Sequence, residues 1–190
     1  MLASASPRRR ELLAQAGFRF RVEAADIPEE PLPGEDPIAY VTRLAREKAE
    51  AIATRIAEPM TVILGADTTV VIDGAILGKP EDAADAARML RLLSGRTHQV
   101  ITGVAVLTGK GADEQTLVAA EITSVQFQSL SAEEMDAYVA TGEPMDKAGA
   151  YAIQGRAARW IPRIQGCYFN VVGLPLALVA SLLAALPPTE

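Results

Sequence analysis

Three consecutive arginines, Arg8, Arg9 and Arg10, follow the dipeptide Ser6-Pro7. Ser6 is suited to cap a helix and Pro7 to be its first residue, with Leu12, Leu13 and Ala16 as the apolar face. The start of a helix is the positive end of its macrodipole, where acidic side chains stabilise and arginines do not. Free N–H groups, a hydroxyl and two or three guanidiniums converging there make a strong site for an anion such as a phosphate chain. The plain alternative is a solvated face with Arg8 paired to Glu11.

Three other residues could join such chemistry. Asp67 closes the apolar run TVILGAD, at the strand end where open α/β sheets place a ligand crevice. A carboxylate between two β-rich apolar runs must be partnered, because burying it alone is costly. Lys48 falls inside an otherwise apolar helical stripe, where it either meets a partner or snorkels to solvent. Lys79, in GKP, taken alone reads as a lysine guarding a strand edge. His98 and Cys167 are the only histidine and cysteine. They support neither a histidine zinc site nor a Cys/His nucleophile, and a packing histidine and a buried thiol within a strand are expected. No Walker A sequence, GxGxxG or GxSxG is present.

The elements that would hold these residues are legible from periodicity. After the first helix, Phe18–Ala24 alternates like a strand and leads into the acidic, proline-rich connector DIPEEPLPGEDP, expected as an exposed loop. Pro37 opens a helix to about Ala57 with Ile38, Val41, Leu44, Ala45, Lys48, Ala49 and Ile52 on one side. The run from Thr61 and the segment VVIDGAILGKP predict a hairpin turned at Asp73–Gly74. A helix over Glu81–Leu93 follows, with Ala84, Ala87, Met89, Leu90 and Leu93 inward. A strand from His98 to Leu107, a turn at Thr108–Asp113 and a return over Thr116–Leu130 come next. SAEE, at Ser131–Glu134, predicts a capping box. ARWIPRI and CYFNVVG read as strands, and Pro175–Leu186 as a final helix.

Strands alternating with helices, joined by two hairpins, imply an α/β protein with a mixed sheet. Its 190 residues suffice for one large domain or two small lobes around one core. The net charge of −6 argues against a general nucleic-acid binder, which makes the basic cluster a local exception. The lone cysteine, the polar and basic residues directly after Met1-Leu2, and the Gly173 and Pro175 interruptions of the longest apolar stretch point to the cytoplasm and away from a membrane.

Taken in order, LASASPRRRELL, LAREKA, GADTTVV with GKPED, GRTHQVITGVAV, and DKAGAYAIQG followed by VVGLPL resemble the Maf family of nucleoside triphosphate pyrophosphatases over nearly the whole chain. The resemblance implies a single domain over 1–190, with a mixed twisted sheet flanked by helices and two lobes around a central nucleotide-binding cleft. DKAGAYAIQG is similar to the branch acting on dTTP and UTP. Fewer apolar residues precede Leu2-Ala3-Ser4 than the family pattern has, so either a short first strand or a start codon upstream is expected.

Carried onto matching positions, the resemblance implies Asp67 as proton acceptor, Lys48 and Lys79 as catalytic cations, and Ser6, Arg8, Arg9, Thr68 and Gln154 as substrate-binding residues. Arg8, Thr68 and Gln154 match positions associated with pyrimidine selection. Glu29 and Asp67 are implied as ligands of a divalent cation, Mg²⁺ or Mn²⁺, with Glu29 preferred over Glu30 for its spacing to Lys48. A nucleoside triphosphate substrate and a homodimer are implied in the same way. The implied reaction is attack of water on the α-phosphorus, giving a monophosphate and pyrophosphate; modified pyrimidine triphosphates are further candidate substrates. The alternatives are cleavage of 7-methyl-GTP or another noncanonical nucleotide, and a non-enzymatic role in septum formation or cell division. Aspartate is a weak base at neutral pH, so Asp67 needs help from a cation that acidifies the attacking water. The Gln154 amide can donate to O4 and accept from N3–H of uracil or thymine, while cytosine presents the reverse pattern; the amide must then be pinned against flipping.

Overall fold

A computed structural model describes residues 1–56, 61–108 and 115–186. The chain divides into two compact units. The first comprises Met1–Asp67, Thr102–Glu121 and Gly173–Glu190, and the second Thr68–Ile101 and Ile122–Val172. Five strands hydrogen-bond in the order β2-β1-β3-β4-β5, being β1 Ile63–Ile72, β2 Ala75–Leu77, β3 Thr97–Thr108, β4 Gln115–Gln126 and β5 Arg163–Gln165. β2 runs antiparallel to β1 and β5 antiparallel to β4. Leu2 adds parallel bridges to Val22 and Leu64.

The first unit holds helices α1, Pro7–Gln15, and α2, Pro37–Ala53, with α6, Leu176–Ala184, near the end of the chain. Ser6 caps α1 and Asp36 caps α2, each followed by proline as the first helical residue. Tyr40 is buried in α2 whereas Ile38 is 41% exposed, so the buried stripe starts at Tyr40 and not at Ile38. Part of the core here is Ala3, Ala45, Ala49, Ile52, Ile63, Ala105 and Leu107, mostly small side chains that let helix and strands approach closely. Phe18–Ala24 does not form a ladder. Its alternation is answered only by Leu2, which donates to Arg21 O at 2.8 Å and accepts from Glu23 N at 3.0 Å.

The second unit holds α3, Ala83–Leu93, α4, Ala132–Val139, and α5, Tyr168–Val172. Its core is larger-grained, built on Met89, Leu90, Leu93, Phe127, Tyr138, Tyr151 and Trp160. The β1–β2 hairpin turns at Asp73–Gly74, both in the left-handed region. The buried face of α3 is Ala86, Met89, Leu90 and Leu93; Ala84 is exposed. The capping box of α4 is complete at Ser131 and Glu134.

The tail of this unit departs from its alternation. ARWIPRI becomes a 3-10 helix at Arg156–Trp160 plus the three residues of β5, and CYFNVVG becomes α5. Asn170 Nδ2 donates to Val100 O and Thr123 Oγ1, both at 2.9 Å, so a buried tertiary anchor overrides the local pattern. Cys167 is half-buried in the bend before α5, not in a strand. The turn expected at Thr108–Asp113 falls largely outside the described residues. Among the described residues, no helix is long and apolar enough to cross a membrane.

Candidate active site

α2 lies against the sheet through two glycines. A Cβ on Gly65 would fall 2.0 Å from Ala45 O and 3.0 Å from Ala49 N, and one on Gly103 would fall 2.3 Å from Val41 O. Only glycine permits backbone contact this close. Side chains two apart on a strand share a face, so Asp67 projects on the face on which Gly65 touches α2. Lys48, between Ala45 and Ala49, therefore meets Asp67: Lys48 Nζ lies 2.6 Å from Asp67 Oδ1. Both side chains are less than a tenth exposed.

Lys48 Nζ also lies 2.6 Å from Glu29 Oε1. One ammonium thus joins a buried carboxylate to a second that is 45% exposed. Such an arrangement is held by mutual dependence. Removing either member of a buried ion pair leaves an uncompensated charge and costs about 3–5 kcal/mol, although the intact pair adds little stability over an apolar replacement.

Glu29 belongs to the connector, which α2 ties down from one side. Tyr40 Oη donates to Glu29 O at 2.7 Å. Arg43 binds both carboxylate oxygens of Glu35, at 2.6 and 2.8 Å, as well as Glu47 and the carbonyl of Glu30. The Arg43 bond holds the Glu35 carboxyl down to about 2, and Glu35 in turn raises Arg43 further above its ordinary value. Burial pushes the Tyr40 hydroxyl up, with Asp67 and Glu29 adding to the effect, so it remains a donor. Tyr40, Arg43 and Glu35 were not singled out from sequence. A tyrosine and an arginine three residues apart on the helix that carries the buried lysine were the available signal.

The arginines of α1 separate in the structure. Arg10 is exposed and Arg8 half-buried, while Arg9 is buried. Arg9 Nε donates to Gly173 O at 2.8 Å and Nη1 to Ser4 Oγ at 3.2 Å. Burial lowers Arg9 from its ordinary value, Asp67 and Glu29 oppose that shift, and Arg8 adds to it. Arg9 thus shares the electrostatic neighbourhood of the two carboxylates, with Arg8 as its cationic neighbour. Ser6 uses its hydroxyl to accept from Arg9 N, as a cap.

The remaining candidates lie in the second unit. Thr68 follows Asp67 on β1, Lys79 is exposed just after β2, and Gln154 is exposed in the turn before Arg156. His98 is buried there, its Nε2 2.7 Å from Tyr151 Oη and its ring edge-on to Phe127. Burial lowers it from 6.5 to about 4, which keeps it neutral and in a packing role.

Among the described residues, no group of three or more His, Cys, Asp or Glu side chains gathers as a metal site. The acidic donors beside Lys48 are the two carboxylates of Glu29 and Asp67.

Several bacterial proteins share this sequence nearly end to end. A protein of Geobacter sulfurreducens named dTTP/UTP pyrophosphatase is 60% identical over 179 residues, 94% of this chain and 92% of its own length. Proteins of the same name from Koribacter versatilis and Chromobacterium violaceum are 55% and 54% identical, covering 94% and 96% of this chain and 90% and 92% of their own. Residues 1–186 match the family described as Maf-like protein, and with relatives this similar over almost its full length the chain belongs to that family.

Proposed function

We propose that this protein hydrolyses dTTP and UTP to the nucleoside monophosphate and pyrophosphate. The observation that carries the reading is the Lys48 bridge between buried Asp67 and more exposed Glu29, beside a buried arginine, Arg9, whose charge both carboxylates favour. The names of the relatives supply the nucleotide.

Charge decides what each residue does. In the first unit Lys48 and Arg9 stand against Glu29 and Asp67, and Arg8, beside Arg9, makes three cations to two carboxylates. That excess of one positive charge is small beside a triphosphate. A donor set of two carboxylates fits Mg²⁺ or Mn²⁺, because such ions take one or two protein carboxylates together with phosphate oxygens and water. Glu29 and Asp67 would hold it; when bound it neutralises phosphate charge and acidifies water. Lys48 Nζ fixes Asp67 through Oδ1, so Asp67 orients the attacking water and takes its proton on Oδ2. Arg8 and Lys79 hold phosphate oxygens, and Arg9, tied to Gly173 and Ser4, presents its charge without reorganising. Ser6 caps the α1 N-terminus that faces the phosphates. Gln154 and Thr68 read the base, the amide donating to O4 and accepting from N3–H.

The test is pyrophosphate release from dTTP, UTP, CTP, GTP and 7-methyl-GTP with Mg²⁺, by wild type and Asp67→Asn in parallel. The expected result is dTTP and UTP turnover by wild type alone. Preference for GTP or 7-methyl-GTP would overturn the choice of base, and equal turnover by Asp67→Asn would overturn the role of Asp67. Nucleotide binding without turnover of any triphosphate would favour a regulatory protein.

A further inference from the structure

Gln154 can select a base only if its backbone is held, and the second unit contains a brace for that turn. Gly155 N donates to Ala152 O at 3.0 Å, closing a turn with Gln154 inside it. Immediately beyond, Arg156 N donates to the Glu143 carboxylate, 3.0 Å from Oε1 and 3.3 Å from Oε2. The same Oε1 accepts from Tyr138 Oη at 2.9 Å, and Tyr138 Oη accepts from Ala152 N at 3.4 Å. Upstream, the Tyr151 hydroxyl meets His98. Residues 151, 152 and 156 are thus each anchored, leaving Ile153 and Gln154 between the anchors.

Two observations show that this is a fitted contact. A Cβ on Gly155 would fall 1.9 Å from Glu143 Oε1 and 2.6 Å from its Cδ, so the carboxylate occupies the space a side chain would take. Gly155 has φ −101°, so glycine is needed there for the close approach and not for a left-handed backbone. Tyr138 is buried, edge-on to Trp160 at 5.1 Å, and burial raises its hydroxyl above the ordinary value, which keeps it a proton donor. Glu143 itself is half-buried in the 3-10 turn Glu143–Asp146, and its N–H is held by Thr141 Oγ1 at 3.2 Å.

We infer that Glu143, backed by Tyr138, is a positioning residue for base selectivity: its carboxylate, seated against Gly155, fixes the turn that presents the Gln154 amide. The inference rests on the reading of Gln154 as the base-contacting residue. Glu143 acts through the backbone of 152–156 and leaves the handling of the triphosphate to other residues. Its removal should therefore weaken discrimination before it weakens cleavage.

The experiment compares kcat and KM for UTP and CTP in Glu143→Ala, Glu143→Gln, Gly155→Ala, Gln154→Ala and the double variant Glu143→Ala/Gln154→Ala, with a thermal melt on each. Glu143→Ala should lower the UTP-over-CTP preference roughly tenfold, the scale of one lost hydrogen bond, through a higher KM for UTP with CTP turnover unchanged. Gly155→Ala should reproduce that loss by displacing the carboxylate, and it decides the matter if Glu143→Ala does not fold. Glu143→Gln, which keeps Oε1 as an acceptor, should restore most of the preference. The double variant should lose no more than Gln154→Ala alone. An equal fall for UTP and CTP, or preserved preference in both Glu143→Ala and Gly155→Ala while Gln154→Ala loses it, overturns the brace. Preserved preference in Gln154→Ala overturns the reading of Gln154 itself, and this inference with it.

Discussion

Two buried polar partnerships, one in each unit, are built on opposite electrostatic plans. In the first, Lys48 and Asp67 are both charged, less than a tenth exposed, and extended by Glu29. In the second, His98 and Tyr151 are both neutral, joined by one hydrogen bond and sealed by aromatic edges. A charged cluster can bind and polarise a highly charged substrate, at the cost of depending on every member. A neutral cluster can hold a backbone in place and stay indifferent to the charge of what binds nearby. The comparison separates a region suited to chemistry from one suited to holding a turn still.

The comparison would break most visibly at Asp67. Asp67→Asn keeps an oxygen for Lys48, so the fold and nucleotide binding should persist while turnover falls by about 10²–10⁴-fold, the range ascribed to a lost general base. Steady-state kinetics with a binding measurement checks this. Lys48→Met takes the shared ammonium away from Asp67 and Glu29, and denaturant unfolding should register a loss of about 3–5 kcal/mol. A loss below about 1 kcal/mol would mean the buried charges do not depend on one another.

Acid should act on the neutral cluster with a defined sign. His98 is held at about 4 against 6.5 when unfolded, so the unfolded chain binds the extra proton between those values. The stability this contributes is complete above pH 6.5 and is lost as pH falls toward 4, amounting to about 3 kcal/mol. In His98→Gln the slope of stability against pH over that window should flatten. The smallest expected effect is at Tyr40→Phe, which removes the hydroxyl from Glu29 O. It should cost about 1 kcal/mol and lower turnover without altering base preference.

How much of this was legible in the sequence follows from where each signal originates. The caps at Ser6, Asp36 and Ser131, the turn at Asp73–Gly74 and the long apolar runs are local, and the elements form where their residues place them. Lys48 was conspicuous because an ammonium in an apolar stripe needs a partner, and Asp67 because a carboxylate in an apolar strand needs one too. That they meet each other depends on Gly65, whose significance is a distance to Ala45 O that no local pattern encodes. The segment Ala158–Gly173 misled for the same reason. Its alternation was real, but Asn170 is fixed by Val100 and Thr123, residues 70 and 47 positions away. Glu143 was invisible as well, because a glutamate followed by proline reads as surface until Gly155 is seen beneath its carboxylate.

If the charged cluster directs water to the α-phosphorus, hydrolysis of dTTP in oxygen-18 water reveals it by where the label goes. The expected result is one labelled oxygen in the nucleoside monophosphate, unlabelled pyrophosphate, and loss of this reaction in Asp67→Asn. Label in the pyrophosphate, release of orthophosphate, or the same labelled product at an undiminished rate from Asp67→Asn would contradict it.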